Sequence, residues 1–238
     1  MYFLFSGEGA TDLGVCDGTS NSCEGKAFLY GPLTIVTAQI VEAAHGYNFL
    51  EGHSFGYVSK QALSERAKTI KQIRLAGKEH ARETAYFYKN ARALAQIALA
   101  RQKEKRDVVV ALLFRDTDGT ASAGRGQYEA KRQSMVNGFE VEGFASGVAV
   151  LPKPKSEAWW ICTLKKNPYR DCRQLEDRSG NDDSPKSLKK ELKILLGEPA
   201  SRELLNQKVE DHDLDFDRID MPSYNEFRKR LEDVLGAR

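Results

Sequence analysis

Glu8 stands between Gly7 and Gly9 directly after the apolar run Tyr2-Phe3-Leu4-Phe5, and Asp116-Thr117-Asp118-Gly119 directly follows a stronger run, Val108 to Phe114. Both patterns put carboxylates at the end of what reads as a buried strand. Asp116 and Asp118 are two apart, so in extended backbone their side chains point to one side and can reach one ion. In open α/β sheets sites form outside the carboxyl ends of strands. A hard cation such as Mg²⁺ favours carboxylate oxygens there and keeps waters for a substrate phosphate. A nucleotide-binding glycine loop is rejected, because Gly7, Gly9 and Gly14 do not make G-x-G-x-x-G and an acid in the turn would repel a pyrophosphate. The plainer alternatives stay open: Asp, Thr and Gly are turn formers, and acids are favoured at helix starts.

A second group combines Lys153, Lys155, Lys165, Lys166, Arg170 and Arg173 with Trp159, Trp160 and Tyr169. Such a patch can track a phosphate backbone and stack bases, although at least one of the two indoles is expected in the core. His45, His53, His80 and His212 show no metal-ligand spacing. The four cysteines, Cys16, Cys23, Cys162 and Cys172, form no C-x-x-C pair and are expected as free thiols.

The elements that must position these groups follow from periodicity. Strands are expected at Tyr2 to Ser6, Ser54 to Val58, Asp107 to Phe114 and Gly147 to Leu151. The third is apolar on both faces, as a central parallel strand requires. Helices are expected over Pro32 to Ala44, Leu63 to Leu75, Glu79 to Lys105, Gly126 to Met135 and Ser156 to Leu164. Three more are expected near Pro185 to Leu196, Ser201 to Lys208 and Ser223 to Leu235. Gly7 to Gly25, Asn167 to Ser184 and Glu210 to Asp220 read as polar loops, the last as solvated. Strand, helix, strand from residue 107 to 151 makes a βαβ unit and an α/β fold with a mostly parallel sheet flanked by helices.

With 238 residues, 41% hydrophobic and 29% charged, the chain is expected to form one soluble domain over 1–238, with a core at 1–164 and a C-terminal helical elaboration at 165–238. The mean hydropathy of -0.52 and the lack of a long apolar stretch argue against a membrane span. The start lacks a basic segment, so a cytoplasmic location is the default expectation. A net charge of +2 advertises no nucleic acid by itself and leaves any such binding to a local patch.

Glu8 with Thr11-Asp12 behind it, and Asp116-x-Asp118 after a later strand, resemble the TOPRIM domain of primases, topoisomerases and overcoming-lysogenization-defect nucleases. More closely, the chain resembles a bacterial family of stand-alone TOPRIM-like proteins that carry a domain-of-unknown-function label. The likeness runs through Gly147 to Leu151, Ser156-Glu157-Ala158-Trp159, Ser184-Pro185-Lys186-Ser187-Leu188 and Pro222-Ser223-Tyr224-x-x-Phe227. It implies a TOPRIM-like sheet and a Mg²⁺- or Mn²⁺-dependent endonuclease acting on DNA or RNA. Glu8 would then be a metal ligand or general base, Asp116 and Asp118 metal ligands, Glu157 a further ligand, and Lys186 a neutraliser of phosphate charge. It also implies an anti-phage role beside a separate ATPase, since no Walker A sequence is present, and is compatible with a homo-oligomer. Two alternatives are carried. One is a non-catalytic module that binds nucleic acid or an ATPase. The other is a haloacid-dehalogenase-like phosphatase with Asp116 as nucleophile and Asp118 as acid/base, into which Ser156, Lys186 and Asp182 or Asp183 fit only out of order.

Overall fold

A computed structural model of the chain describes residues 1–70, 82–117, 128–211 and 213–236, with side chains from residue 84 onward in the helix that starts at Arg82. Its centre is a five-stranded sheet in the order β3-β5-β1-β6-β7. The strands are β1 (Tyr2–Gly7), β3 (Ser22–Glu24), β5 (Phe55–Ser59), β6 (Val109–Phe114) and β7 (Gly147–Val150). β5, β1, β6 and β7 run parallel, and β3 closes one edge antiparallel to β5. Every residue of β1 and β6 is buried, which the two-sided apolar runs dictate for strands covered on both faces.

Alternation along the strands sorts their side chains into two cores. Phe3, Phe5, Val110, Leu112 and Phe114 pack with α1 (Pro32–His45), α5 (Glu157–Leu164), α6 (Leu188–Leu196), α7 (Arg202–Glu210) and α8 (Pro222–Gly236). Tyr2, Leu4, Val109, Ala111 and Leu113 face the other way, onto α2 (Lys60–Thr69), α3 (Arg82–Lys105) and α4 (Tyr128–Val141). Helix α1 starts with Pro32 in the first turn, where a missing N–H costs nothing, and stops at left-handed Gly46, whose N–H bonds Glu42 O at 2.7 Å.

Three expectations are corrected. The stretch from Gly7 to Gly25 is not one loop: it contains β2 (Gly14–Cys16) and β3, and β2 pairs antiparallel with β4 (Phe28–Tyr30). Strands of three residues carry no readable period, and their partners lie elsewhere in the chain. The cysteines are not free thiols. Cys16 bonds Cys23 and Cys162 bonds Cys172, with Cα separations of 5.7 and 5.3 Å that suit a disulfide. Finally, Glu210 to Asp220 is not simply solvated, because Leu214, Phe216 and Ile219 are buried there. The expected helix over Leu63 to Leu75 is described as far as Thr69, and residues 71–81 lie outside the described residues.

The C-terminal helices share one apolar core with the sheet and α1, so residues 165–238 contribute to the fold's interior. A polar thread runs through that contact. Trp159 Nε1 donates to Ser223 Oγ at 2.9 Å, while Ser223 N and Oγ donate to Glu176 Oε1 at 2.7 and 2.6 Å. Burial pushes the Glu176 carboxyl above its usual range, and the two Ser223 bonds pull the other way. Around this thread Trp159 stacks on Phe227 and meets Tyr224 edge-on, so both tryptophans are core residues, 0% and 1% exposed. Among the described residues no helix is long and apolar enough to cross a membrane.

Two outcomes follow. Ser223→Ala strands a buried carboxylate and an indole N–H, and is expected to cost about 2–4 kcal/mol in urea unfolding. Reduction of the two disulfides, which close loops of 7 and 10 residues, is expected to lower stability by about 2–3 kcal/mol each. Thiol titration of the unfolded, unreduced chain checks the pairing: four reactive thiols would contradict it.

Candidate functional site at the strand ends

Strand β1 leads to α1 on one face of the sheet, whereas the neighbouring β6 leads to α4 on the opposite face. Their chain directions diverge at the carboxyl edge, the place where an open α/β sheet forms its crevice. Gly7 and Phe114 are the last paired residues of these strands. Glu8 therefore follows one strand end directly, and Asp116 lies two residues past the other. This topology, rather than either motif alone, brings the two acids to one edge of the sheet.

Each acid already has a protein partner. Glu8 Oε2 accepts from Lys60 Nζ at 2.5 Å, and Lys60 is the first residue of α2, reached through β5. Asp116 Oδ1 accepts from Ser156 N at 3.2 Å, just ahead of α5. Thr117 ties the same two segments together: its hydroxyl donates to Pro152 O and Pro154 O at 3.0 and 3.1 Å, and its N–H donates to Pro154 O. Glu157 opens α5, in the helix first turn where a carboxylate is favoured.

The residue that sequence reasoning passed over is Asp12. It lies in the turn after β1, where Asp12 N and Leu13 N both bond Gly9 O. Gly9 has φ +96°, and a Cβ there would lie 2.9 Å from Asp12 Oδ2, so only glycine lets this carboxylate tuck against the turn. Asp12 Oδ1 accepts from Trp160 Nε1 at 3.1 Å. Burial first, and then the Glu157 charge, raise its pKa, the Trp160 and Ser156 hydrogen bonds partly offset this, and the net result is about 6. Thr11-Asp12 lies in the motif around Glu8, but nothing local announces that Trp160, 148 positions on, seats it.

Asp12 and Glu157 line a cleft of about 370 Å³ whose other wall is α6, with Lys189, Lys190 and Lys193, and whose floor includes Trp160 and Leu192. A pair of coupled carboxylates facing a basic rim is a chemically sensible place for a cation bridging to a phosphate, because positive charge would relieve the repulsion that raises Asp12. Among the described residues no three His, Cys, Asp or Glu side chains form a group ready to hold a metal. Asp118 lies outside the described residues.

The remaining expected residues are dispersed. Lys155 pairs with Asp182 at 2.9 Å and Lys153 with Asp177 at 3.8 Å. Lys165 Nζ donates to Arg170 O, and burial lowers the pKa of its ammonium. Lys166 and Arg170 are exposed, and Lys186 is exposed on the turn before α6, whose Ser187 caps the helix through Lys190 N. Both indoles are buried and so withdrawn from stacking, Tyr169 is half-buried with its hydroxyl accepting from Asp215 N at 3.0 Å, and the cations that line the cleft of Asp12 and Glu157 are those of α6.

For Asp12 the sign is clear. Its folded pKa of about 6 exceeds the usual 3.8, so the folded state prefers the protonated acid, and stability falls as pH rises from about 4 through 6. The full shift corresponds to about 3 kcal/mol, and less is expected because the side chain stays partly open to the cleft. Asp12→Asn keeps an acceptor for Trp160 and is expected to match wild type near pH 4 and exceed it by about 1–2 kcal/mol at pH 8. Urea denaturation at the two pH values checks this, and equal curves at both would remove the strained-carboxylate reading.

No known protein family, curated protein or solved structure matches the chain.

Proposed function

We propose that the chain is a TOPRIM-like, divalent-metal-dependent nuclease whose site is the carboxyl edge of β1, β6 and β7. The observation that carries this reading is that Glu8 and Asp116 follow the ends of β1 and β6, while Asp12 and Glu157 line one cleft with the α6 lysines and the Glu157 charge bears on Asp12. In this reading Glu8, Asp116, Asp118 and Glu157, together with Asp12, are the residues that would hold Mg²⁺ or Mn²⁺. Such an ion, when bound, would supply an activated water and charge neutralisation at the phosphate. Lys189, Lys190 and Lys193 hold the phosphate backbone along the cleft by charge. Lys60 keeps the Glu8 carboxylate at the end of β1, within reach of a water proton once the pair opens. Buried Trp160 orients Asp12 through its N–H.

By the same resemblance, the nuclease serves bacterial defence and receives ATP-driven control from a separate subunit. A second reading draws on a specific observation. Glu8 is engaged by Lys60 and Asp116 by the start of α5, which suits a non-catalytic module in which these acids only brace the sheet edge. The phosphatase alternative has less to stand on, because Asp182 is held by Lys155 and Lys186 lies on an exposed turn.

Cleavage of plasmid, single-stranded DNA and bulk tRNA with Mn²⁺ or Mg²⁺ tests the proposal. Glu8→Gln, Asp116→Asn and Glu157→Gln are each expected to lower the rate about a hundredfold or more. Replacing Lys189, Lys190 and Lys193 with Gln is expected to weaken nucleic-acid binding and flatten its log–log salt slope by about 2–3. Binding without cleavage, unaffected by the three acid substitutions, would favour the module; monoester turnover independent of Glu8 would favour the phosphatase.

A further inference from the structure

On the opposite face of the sheet, one residue before Asp116, Arg115 is 0% exposed. It continues the row of Val109, Ala111 and Leu113 toward the core that holds α2, α3 and α4. Its Nη1 donates to Phe114 O at 2.9 Å, and its guanidinium lies 5.6 Å from the centre of the Tyr86 ring of α3. Nε and Nη2 are buried and have no hydrogen-bond partner among the described residues. These two atoms form the side-on fork of a guanidinium, the pair whose parallel N–H bonds match two oxygens of one anion. Arg132 shows the same fork filled, by Glu129 at 3.0 and 2.6 Å. At Arg115 the fork is oriented by Nη1 and the aromatic ring, and left open.

A buried, unpaired charge is among the least favourable things a fold can hold, and a bound ion is one of the ways such a group is completed. The surroundings add positive charge and further donors. Lys131, 2% exposed, donates from Nζ to Thr117 O at 2.8 Å, two residues along from Arg115. Ser6 Oγ, buried and without a partner among the described residues, belongs to β1 opposite Leu113, two residues back along the strand. The Tyr86 ring beside the guanidinium is itself 37% exposed, which makes it the side of Arg115 that borders solvent.

We propose that the Nε/Nη2 fork of Arg115 is a receptor for a tetrahedral oxyanion of the phosphate type, entered past Tyr86. The assignment does not rest on the nuclease reading, since it needs neither the metal nor the strand-end acids. The test is thermal unfolding of the full chain in chelator, with phosphate, sulfate, acetate or chloride at matched ionic strength. Phosphate and sulfate are expected to raise the wild-type melting temperature by several degrees over chloride, and acetate to do little. Arg115→Met is expected to melt in chloride at or above the wild-type temperature, having lost an unpaired charge, and to show no phosphate-dependent rise. Arg115→Lys, which keeps the charge and lacks the fork, is expected to bind phosphate at least about tenfold more weakly, and carries the comparison if the methionine variant does not fold. The same rise in Arg115→Met or Arg115→Lys as in wild type, no rise in wild type at tens of millimolar phosphate, or an equal rise with acetate would each overturn the proposal. Loss of cleavage in the strand-end variants with phosphate binding intact would separate this site from the hydrolytic one.

Discussion

The parallel pairing of β1 with β5 on one side and β6 on the other is the constraint from which the rest of the molecule follows. A parallel neighbour cannot be reached by a tight turn, so each pairing demands a crossover, and each crossover places helices on a face. Because β1 feeds α1 on one face while β6 feeds α4 on the other, both faces are covered and the strands can be apolar on both sides. The divergence also opens the edge at which the chain presents its acids. Burial and the placing of the acids thus share one cause.

Covering the α1 face takes more than α1. Helices α5 to α8 complete it, and they are locked to one another by large aromatic side chains and by the bonds that join Trp159, Ser223 and Glu176. A buried carboxylate is tolerable here because both of its hydrogen bonds come from one serine at the start of α8. The motif around Pro222 to Phe227 is therefore explained by packing: Ser223, Tyr224 and Phe227 all meet Trp159. Seating Trp159 and its neighbour Trp160 in the core also removes them from any base-stacking role, and Trp160 instead holds Asp12.

The charges at the carboxyl edge fall into two kinds. Glu8 with Lys60 is matched and half-exposed, and such pairs contribute little to stability. Asp12 beside Glu157, and Arg115 under Tyr86, are mismatched: one is like-charged, the other has an open fork. Both mismatches lie within a few residues of the ends of β1 and β6, on opposite faces. Local free energy set against stability at a strand edge is the usual mark of a place that binds something.

The amino-acid sequence by itself determined the elements with strong local signals: the doubly apolar β1 and β6, the proline-started and glycine-stopped α1, the C-terminal helices, and the location of Glu8 and Asp116 at strand ends. These depend on periodicity and caps, which act over a few residues. Tertiary structure decided what depends on distant partners: the three-residue strands of the first loop, the two disulfides, the burial of Leu214, Phe216 and Ile219, and the seating of Asp12 by Trp160. It also decided which cations face the acids. The lysines near Glu157 in sequence are tied to Asp177 and Asp182, while those of α6, more than thirty residues away, line the cleft. A charge pattern records composition along the chain, whereas an electrostatic site depends on distance in space, and only the packing of α6 against α5 sets that distance.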